Sequence, residues 1–228
     1  MSAAADAPRS FNSVVLPHAV DPGNEYPVKM LKYLLFEFAG VQQGRFVDLG
    51  GGWGAYTKIA LDLGFDAISI DREPAAEGVP HHICDLKHGE LPIESSSIDI
   101  VFSKSVIEHF YLHEIPHLMS EILRVLKPGG ALLLMTPDWE SNTKAFYQVF
   151  THVTPYTRSS LAQCLKMYGF KNVSSKQFVQ LPSVWHSAFA RLMAKLTYYA
   201  PLPKSLSKWV RWSKELSLVG VGYKSCPD

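Results

Sequence analysis

Residues 46–54 read Phe-Val-Asp-Leu-Gly-Gly-Gly-Trp-Gly. The apolar start is typical of a buried strand, and four glycines in the next five positions predict a sharp turn into a helix. Glycine tolerates such a backbone and leaves space for a ligand against the main chain. With Ala55 as a third small residue, the turn also fits the GxGxxG pattern of dinucleotide-binding proteins. The turn therefore predicts a nucleotide-like ligand, and a tight turn without a ligand is the alternative.

Strands and helices alternate around this turn, as they do in βαβ units. Apolar patterning predicts strands at 46–49, 67–70, 82–84, 98–102, 131–136, 173–179 and 217–223, and helices at 27–38, 55–63, 113–126, 141–150 and 158–167. The strands lack polar alternation, which indicates that helices cover both sheet faces. We therefore expect an α/β fold, with a doubly wound, mostly parallel seven-stranded sheet that ends in an antiparallel hairpin strand.

The composition is that of a globular protein. The chain has 228 residues, of which 47% are hydrophobic and 19% charged, and we predict a flexible tail over 1–25 and one domain over 26–228. A net charge of +1 gives no general attraction for nucleic acid. The most apolar run, 131–135, is far shorter than the roughly 20 residues that span a bilayer. The tail does not resemble a signal peptide, and three scattered cysteines favour reduced thiols and a cytoplasmic location.

Two acids follow predicted strands at the edge where a ligand would lie. Asp71 comes 17 residues after Gly54, where a carboxylate could accept hydrogen bonds from both hydroxyls of a ribose. It could also be a solvated loop acid or a cap. Asp85 closes the third strand, where it could meet the amine of an adenine or cap the following turn.

Three further stretches complete a pattern. After the fourth predicted strand the chain reads Ser-Lys-Ser-Val-Ile-Glu-His at 103–109, Asp85 is followed by Leu86, and residues 123–130 read Leu-Arg-Val-Leu-Lys-Pro-Gly-Gly. Together with the glycine turn and Asp71, these stretches resemble the class I, Rossmann-like methyltransferases that use S-adenosylmethionine. The resemblance covers about residues 44–180, and the small-molecule branch that includes the quinone-biosynthesis methyltransferases is the most similar.

That resemblance implies S-adenosylmethionine as the cofactor and a set of residues that bind it. Asp48 and the glycines would line its methionine and ribose portions, Asp71 its ribose hydroxyls, and Asp85 with Leu86 its adenine. Arg72 would lie along the adenine face, and Ser103 near the amino-acid end. The glycines concerned are Gly50, Gly51, Gly52 and Gly54.

The same resemblance suggests residues that contact the methyl acceptor. His109 follows the fourth strand and could act as a general base, or it could be a hydrogen-bonded wall residue. Glu108 could orient it or cap the helix. His152 and Tyr156 lie in a segment similar to one that closes over acceptors, and we take His109 and His152 as the candidate catalytic residues. Lys104 could contact an anionic substrate or point into water, and we place Lys104, Glu108 and Tyr156 in the substrate site.

Other readings of the histidines and of the fourth strand are weaker. The pairs His81–His82 and His113–His117 invite a metal interpretation, but Pro116 separates the second pair and neither has an adjacent third ligand. We therefore predict no metal. Base-methylating enzymes carry an Asn/Asp-Pro-Pro-aromatic motif where this chain has Phe102-Ser103-Lys104-Ser105, so a nucleic-acid substrate is not expected.

A basic, aromatic insertion precedes the last predicted strand. Residues 182–214 contain six basic residues and no acid, which leaves 16 basic and 21 acidic residues elsewhere. An apolar stripe recurs at helical spacing: Trp185, Phe189, Leu192, Leu196 and Tyr199. The simplest interpretation is that the stripe packs on the domain's own sheet. Peripheral membrane contact and a lid over the substrate are alternatives, and RNA binding is a fourth.

The sequence thus predicts methyl transfer from S-adenosylmethionine to a small-molecule acceptor, with lipid- and sugar-linked compounds among the candidates. An NAD-dependent oxidoreductase of Rossmann type is one alternative, because the GxGxxA pattern fits it as well. A non-catalytic, cofactor-binding partner protein is another. Cytoplasmic location, with association to a membrane as a variant, completes the prediction, and the oligomeric state is left open.

Overall fold

A computed structural model describes residues 24–226. Its seven strands form one sheet in the order β3-β2-β1-β4-β5-β7-β6. The strands are β1 (Arg45–Leu49), β2 (Asp66–Asp71), β3 (His81–Ile83), β4 (Ile98–Lys104), β5 (Leu126–Pro137), β6 (Lys171–Phe178) and β7 (Ser217–Tyr223). Of the predicted tail over 1–25, all but residues 24 and 25 lies outside the described residues.

Eight α-helices connect or flank these strands in the described part of the chain. They are α1 (Tyr26–Tyr33), α2 (Ala55–Asp62), α3 (Ile115–Val125), α4 (Trp139–Phe146), α5 (Arg158–Met167), α6 (Pro182–His186), α7 (Ala188–Tyr199) and α8 (Lys208–Lys214). None of the helices described is both long and apolar enough to cross a membrane.

The sheet is parallel from β3 to β5, and β7 is antiparallel to both β5 and β6. The strand order reverses between β1 and β4, and in doubly wound sheets a ligand crevice opens at such a point, beyond the carboxyl ends of the strands. The expected fold class, including the terminal antiparallel strand, is confirmed.

Hydrophobic clusters cover both faces of this sheet. On one face, strand residues such as Val47 and Val101 pack with α3 and α5. On the other face, Phe46 and Phe102 pack with α1, α2 and the insertion. Consecutive strand residues therefore serve opposite cores, which explains why the strand sequences show no polar alternation.

Several predicted boundaries shift. The third strand begins and ends one residue earlier than predicted, and β5 begins at Leu126 because the Lys-Pro-Gly-Gly segment is already extended. The helix predicted at 141–150 runs from Trp139 to Phe146. The first helix changes at Leu34 into a π-helical turn that ends at Phe38.

The insertion corrects one expectation. Trp185 is buried, but Phe189, Leu192, Leu196 and Tyr199 are exposed, so the predicted packing of the stripe on the sheet is wrong for four of its five residues. The buried side of α7 carries Ala194 instead. The helix packs against α6 and α8, and its large apolar residues remain exposed.

Candidate active site

The glycine turn joins β1 to α2. Gly50, Gly52 and Gly54 have φ angles of +73°, +52° and +76°, in the left-handed region that favours glycine. The protein's own side chains also fill the space beside the turn. A Cβ on Gly51 would lie 2.5 Å from Ser69 Oγ, and a Cβ on Gly54 would lie 2.5 Å from Val79 Cγ1. Ligand access is therefore not the only reason for glycine here, because close packing requires it as well.

Asp48 lies beneath this turn and is almost fully buried. Its Oδ2 accepts hydrogen bonds from Thr57 N at 3.1 Å and from Thr57 Oγ1 at 2.9 Å, which ties β1 to the first turn of α2. Burial raises the pKa of Asp48 to about 6, against the lowering effect of these hydrogen bonds. Thr57, which the sequence analysis missed, thus holds the carboxyl group that supports the turn.

Asp71 ends β2 beside the turn, as predicted. Its Oδ2 accepts a hydrogen bond from Gly52 N at 2.9 Å, and its Oδ1 accepts one from Glu73 N at 3.1 Å. The side chain is half-buried, and neighbouring Arg72 is exposed. Each carboxylate oxygen can accept further hydrogen bonds, so this acid is positioned to bind a ligand that lies against the turn.

Asp85 and Leu86 follow β3 and have different environments. Asp85 is exposed, and its Oδ1 accepts a hydrogen bond from Lys87 N at 3.0 Å. That bond makes it the cap of a turn, one of the two roles considered from the sequence. Leu86 is buried in the core.

The end of β4 brings Ser103 and Lys104 to the same edge of the sheet. Ser103 is buried, and its Oγ donates to Leu49 O at 2.9 Å, so this hydroxyl ties β4 to the start of the glycine turn. Lys104 is partly buried, with its Nζ 5.8 Å from the centre of the Tyr56 ring. Burial lowers the pKa of Lys104, while Glu108 and Asp48 favour its charged form. Lys104 is therefore a partly enclosed cation at this edge and does not point into open water.

Glu108 is fully buried. Its Oε2 accepts a hydrogen bond from Thr136 Oγ1 at 2.9 Å, and its Oε1 has no partner among the described residues. Burial raises the pKa of Glu108 to about 7. Of the two roles considered for Glu108, capping a helix is not the one observed, because its carboxylate faces inward towards Thr136.

His109 and His152 pack together with ring centres 4.8 Å apart. Nδ1 of His109 lies 3.1 Å from Thr151 O, and Nδ1 of His152 lies 2.9 Å from Phe146 O. A carbonyl can only accept, so Nδ1 carries the proton in each neutral ring. Burial lowers the pKa of both residues, that of His109 to about 4. Both imidazoles are therefore neutral near pH 7.

A pocket of about 240 Å³ opens beside these residues, where β4 and β5 end. Lys104 and His152 line it, whereas His109 does not. Its other walls were missed from the sequence. They come from α4, α8, the ends of β5 and β7 and the segments that follow β4 and β6: Ser105, Pro137, Asn142, Ala145, Phe146, Gln180, Trp212, Glu215, Leu216 and Ser217. Tyr156 is buried and forms an isolated β-bridge with Asp138. It does not line this pocket, so the predicted contact with the substrate is not seen here.

Between residues 24 and 226, a single group of three or more metal-ligating side chains comes together. Glu108, His109 and His152 each bring a ligand atom within 4.8 Å of the others. The pairs considered from the sequence do not extend to a third ligand. His117 Nε2 lies 2.9 Å from Gly89 O, and His113 stacks on Tyr111. The absence of a metal stays a prediction.

The geometry of the turn, the acid on β2 and the pocket agrees with comparisons to known proteins. A family model described as "Methyltransferase domain" matches residues 24–175, more than half of the chain. The chain belongs to this family. Members of the family bind S-adenosylmethionine. The match therefore favours the methyltransferase interpretation over the NAD-dependent oxidoreductase.

Individual relatives of this methyltransferase are distant. It is 31% identical over 148 residues to the biotin biosynthesis bifunctional protein BioHC of Cellvibrio japonicus, a match that covers 58% of this chain and 29% of that protein. It is 28% identical over 155 residues to the malonyl-[acyl-carrier protein] O-methyltransferase of Methylococcus capsulatus, covering 59% of this chain and 54% of that protein. The matches thus span about half or less of these relatives.

A solved structure shares the fold. The crystal structure of a SAM-dependent methyltransferase from Archaeoglobus fulgidus superposes with a TM-score of 0.63 at 18% identity, covering 86% of this chain and 94% of that one. At this identity the similarity shows the fold alone.

Proposed function

We propose that this methyltransferase transfers the methyl group of S-adenosylmethionine to a small, anionic acceptor bound in the pocket beside Lys104 and His152. The observation that carries the proposal is the position of this pocket. It opens at the carboxyl end of β4, and β4 pairs with β1, the strand that leads into the glycine turn. Donor and acceptor would therefore meet at one edge of the sheet.

The residues at the turn fit the cofactor. The left-handed glycines present main chain without side chains, Asp71 is half-buried with spare acceptor capacity, and the Asp48 carboxyl group supports the turn from below. We propose that Asp71 accepts hydrogen bonds from the ribose hydroxyls, and that Asp85 and Leu86 border the adenine, with Arg72 along its face. When bound, S-adenosylmethionine supplies an electrophilic methyl group.

The chain's own residues then position the acceptor and remove its proton. Lys104 provides a partly desolvated positive charge for an anionic group of the acceptor. His152 lines the pocket as a neutral imidazole whose Nε2 can take a proton from an acceptor hydroxyl, a contribution of typically about 10²–10⁴-fold in rate. A carboxylate oxygen of Glu108 lies within 4.8 Å of a ring nitrogen of His152, and Glu108 would stabilise the imidazolium that forms. His109 packs behind His152 and supports its position.

A second acceptor chemistry is suggested by one relative. The Methylococcus capsulatus protein is named as an O-methyltransferase of a malonyl group on acyl-carrier protein. A carboxylate acceptor is already ionised and needs no base, so Lys104 would be required and His152 would not. Lipid- and sugar-linked acceptors also remain proposals, and a lipid-linked one would require the protein to reach a membrane surface. We also propose a cytoplasmic location, which the three scattered cysteines support.

The test is a turnover screen with S-adenosylmethionine and paired acceptors. Phenols, hydroxy acids and carboxylates are offered, each free and linked to an acyl chain, and formation of S-adenosylhomocysteine is measured. We expect turnover with anionic acceptors that falls sharply in Lys104→Met. Tight binding of S-adenosylhomocysteine without turnover on any acceptor would support the non-catalytic partner protein instead.

A further inference from the structure

The outer face of α7 is apolar and exposed to solvent. We define this outer face by five residues that are between 38% and 74% exposed: Phe189, Leu192, Met193, Leu196 and Tyr199. At 100° per residue these side chains share one side of the helix. Leu202 and Leu206, in the segment that follows, are exposed as well. Soluble proteins rarely expose such contiguous apolar surface unless it binds something.

The orientation of α7 is fixed from its inner side. Ala194 is buried in the hydrophobic cluster that also contains Val184 and Trp185, and Arg191 donates from its guanidinium to Trp185 O at 2.8 Å. Trp209 Nε1 donates to Thr197 Oγ1 at 3.3 Å, and Ser187 caps the helix. These contacts hold the inner side of α7 towards the domain, over a pocket of about 420 Å³, and the outer face remains exposed to solvent.

Charge identifies the partner. The insertion 182–214 holds six basic residues and no acid, whereas the remainder has 16 basic and 21 acidic residues. Glu215, just beyond it, pairs with Lys204 at 3.5 Å and with Arg211 at 2.9 Å. Lys195 and Lys208 form no ion pair with any residue from 24 to 226 and are exposed. An apolar helical face beside uncompensated lysines matches the interface of an anionic bilayer.

We infer that the outer face of α7 inserts into the interface of an anionic lipid bilayer, with Lys195 and Lys208 contacting the headgroups. The negative remainder of the molecule would be repelled by the same surface, so the insertion would face the membrane. A second copy of the chain fits less well, because its insertion would bring like charges together. The inference is independent of the acceptor proposed above.

The test measures binding to vesicles by co-sedimentation, at one ionic strength, with the whole chain. Vesicles of phosphatidylcholine with phosphatidylglycerol are compared with vesicles of phosphatidylcholine alone. We expect the protein to bind the anionic vesicles at least about tenfold more tightly. Phe189→Ser combined with Leu196→Ser should reduce that binding by about tenfold or more, and Lys195→Glu combined with Lys208→Glu should abolish the preference for anionic lipid.

A matched control replaces two apolar residues of similar exposure elsewhere. Leu112 and Met167 are each 73% exposed, as Phe189 is, so Leu112→Ser with Met167→Ser should bind vesicles as the unchanged chain does. Thermal melting confirms that all variants fold. Failure of the unchanged chain to bind anionic vesicles, or equal binding by the Phe189 and Leu196 variant, would overturn the inference. So would a dimer in analytical ultracentrifugation that the same two substitutions dissociate.

Discussion

Asp71 holds the glycine turn through the Gly52 amide and is the single carboxylate proposed to bind the cofactor's ribose. Asp71→Ala should weaken binding of S-adenosylhomocysteine, because each charge-assisted hydrogen bond contributes on the order of 1.5–3 kcal/mol. Calorimetric titration measures the loss. Asp66→Ala is the control, since Asp66 lies at the opposite end of β2 and is largely exposed. Equal affinity in Asp71→Ala and the unchanged protein would remove the ribose assignment.

His152 lines the acceptor pocket and has a pKa lowered by burial. If it is the base, kcat/KM for a hydroxyl acceptor should rise with pH, with a midpoint below the ordinary histidine pKa of 6.5, because the imidazole must be neutral to accept a proton. His152→Ala should lower kcat by about 10²-fold or more and leave binding of S-adenosylhomocysteine unchanged. His109→Ala should have a smaller effect.

Glu108 offers the competing assignment, since burial raises its pKa to about 7. A rise in rate centred near pH 7 that persists in His152→Ala and disappears in Glu108→Gln would make the carboxylate the base. A pH profile that neither substitution changes would favour a carboxylate acceptor, which needs no proton removed.

Sequence patterns predicted single residues well where local order decides their position. Asp71 and the glycines lie at the predicted edge because a strand and a turn place them there. The pocket walls Phe146 and Trp212 were missed because they are more than 60 residues apart in the chain, and only the packing of α4 and α8 brings them together. The inward orientation of Glu108 depends likewise on Thr136, a residue of β5.

At the scale of elements, α5 shows how a local signal fixes a boundary. Thr157 accepts a hydrogen bond from Ser160 N, and the Ser160 side chain accepts one from Thr157 N, which completes a capping box. Thr157→Ala should therefore lower the free energy of unfolding by about 1 kcal/mol. Denaturant unfolding measures this change, and Ser159→Ala, at the second residue of the helix, is the control. A loss of less than a few tenths of a kcal/mol would show that the cap contributes little.

The helix α7 shows where element-level prediction fails. Its periodicity correctly indicated an apolar stripe, but periodicity does not tell which side of a helix is buried. The side that carries Ala194 is the one that is buried. Exposure of a stripe depends on the tertiary neighbours of a helix, which its own sequence does not contain.

At the scale of the whole molecule, cofactor binding should stabilise the fold. A ligand at 100 times its Kd that binds only the native state adds about 2.7 kcal/mol, which for this size raises Tm by roughly 5–10 °C. S-adenosylhomocysteine should produce this shift in thermal melting. Gly52→Val should abolish it, because a branched side chain at positive φ distorts the turn. Gly64→Val is the control, since Gly64 has a φ of +91° with no atoms within 4 Å of an added Cβ. A full shift in Gly52→Val would contradict the proposed cofactor site.

The position of β7 has a consequence for how the protein is made. Because β7 lies between β5 and β6, β6 hydrogen-bonds to the rest of the sheet only through a strand that is synthesised about 40 residues later. During translation, β5 would present an unpaired edge until residues 217–223 leave the ribosome, while α7 with its apolar side is already outside the exit tunnel. A nascent chain at that stage would expose both an unpaired strand edge and an apolar helix. We therefore expect chaperones to bind it.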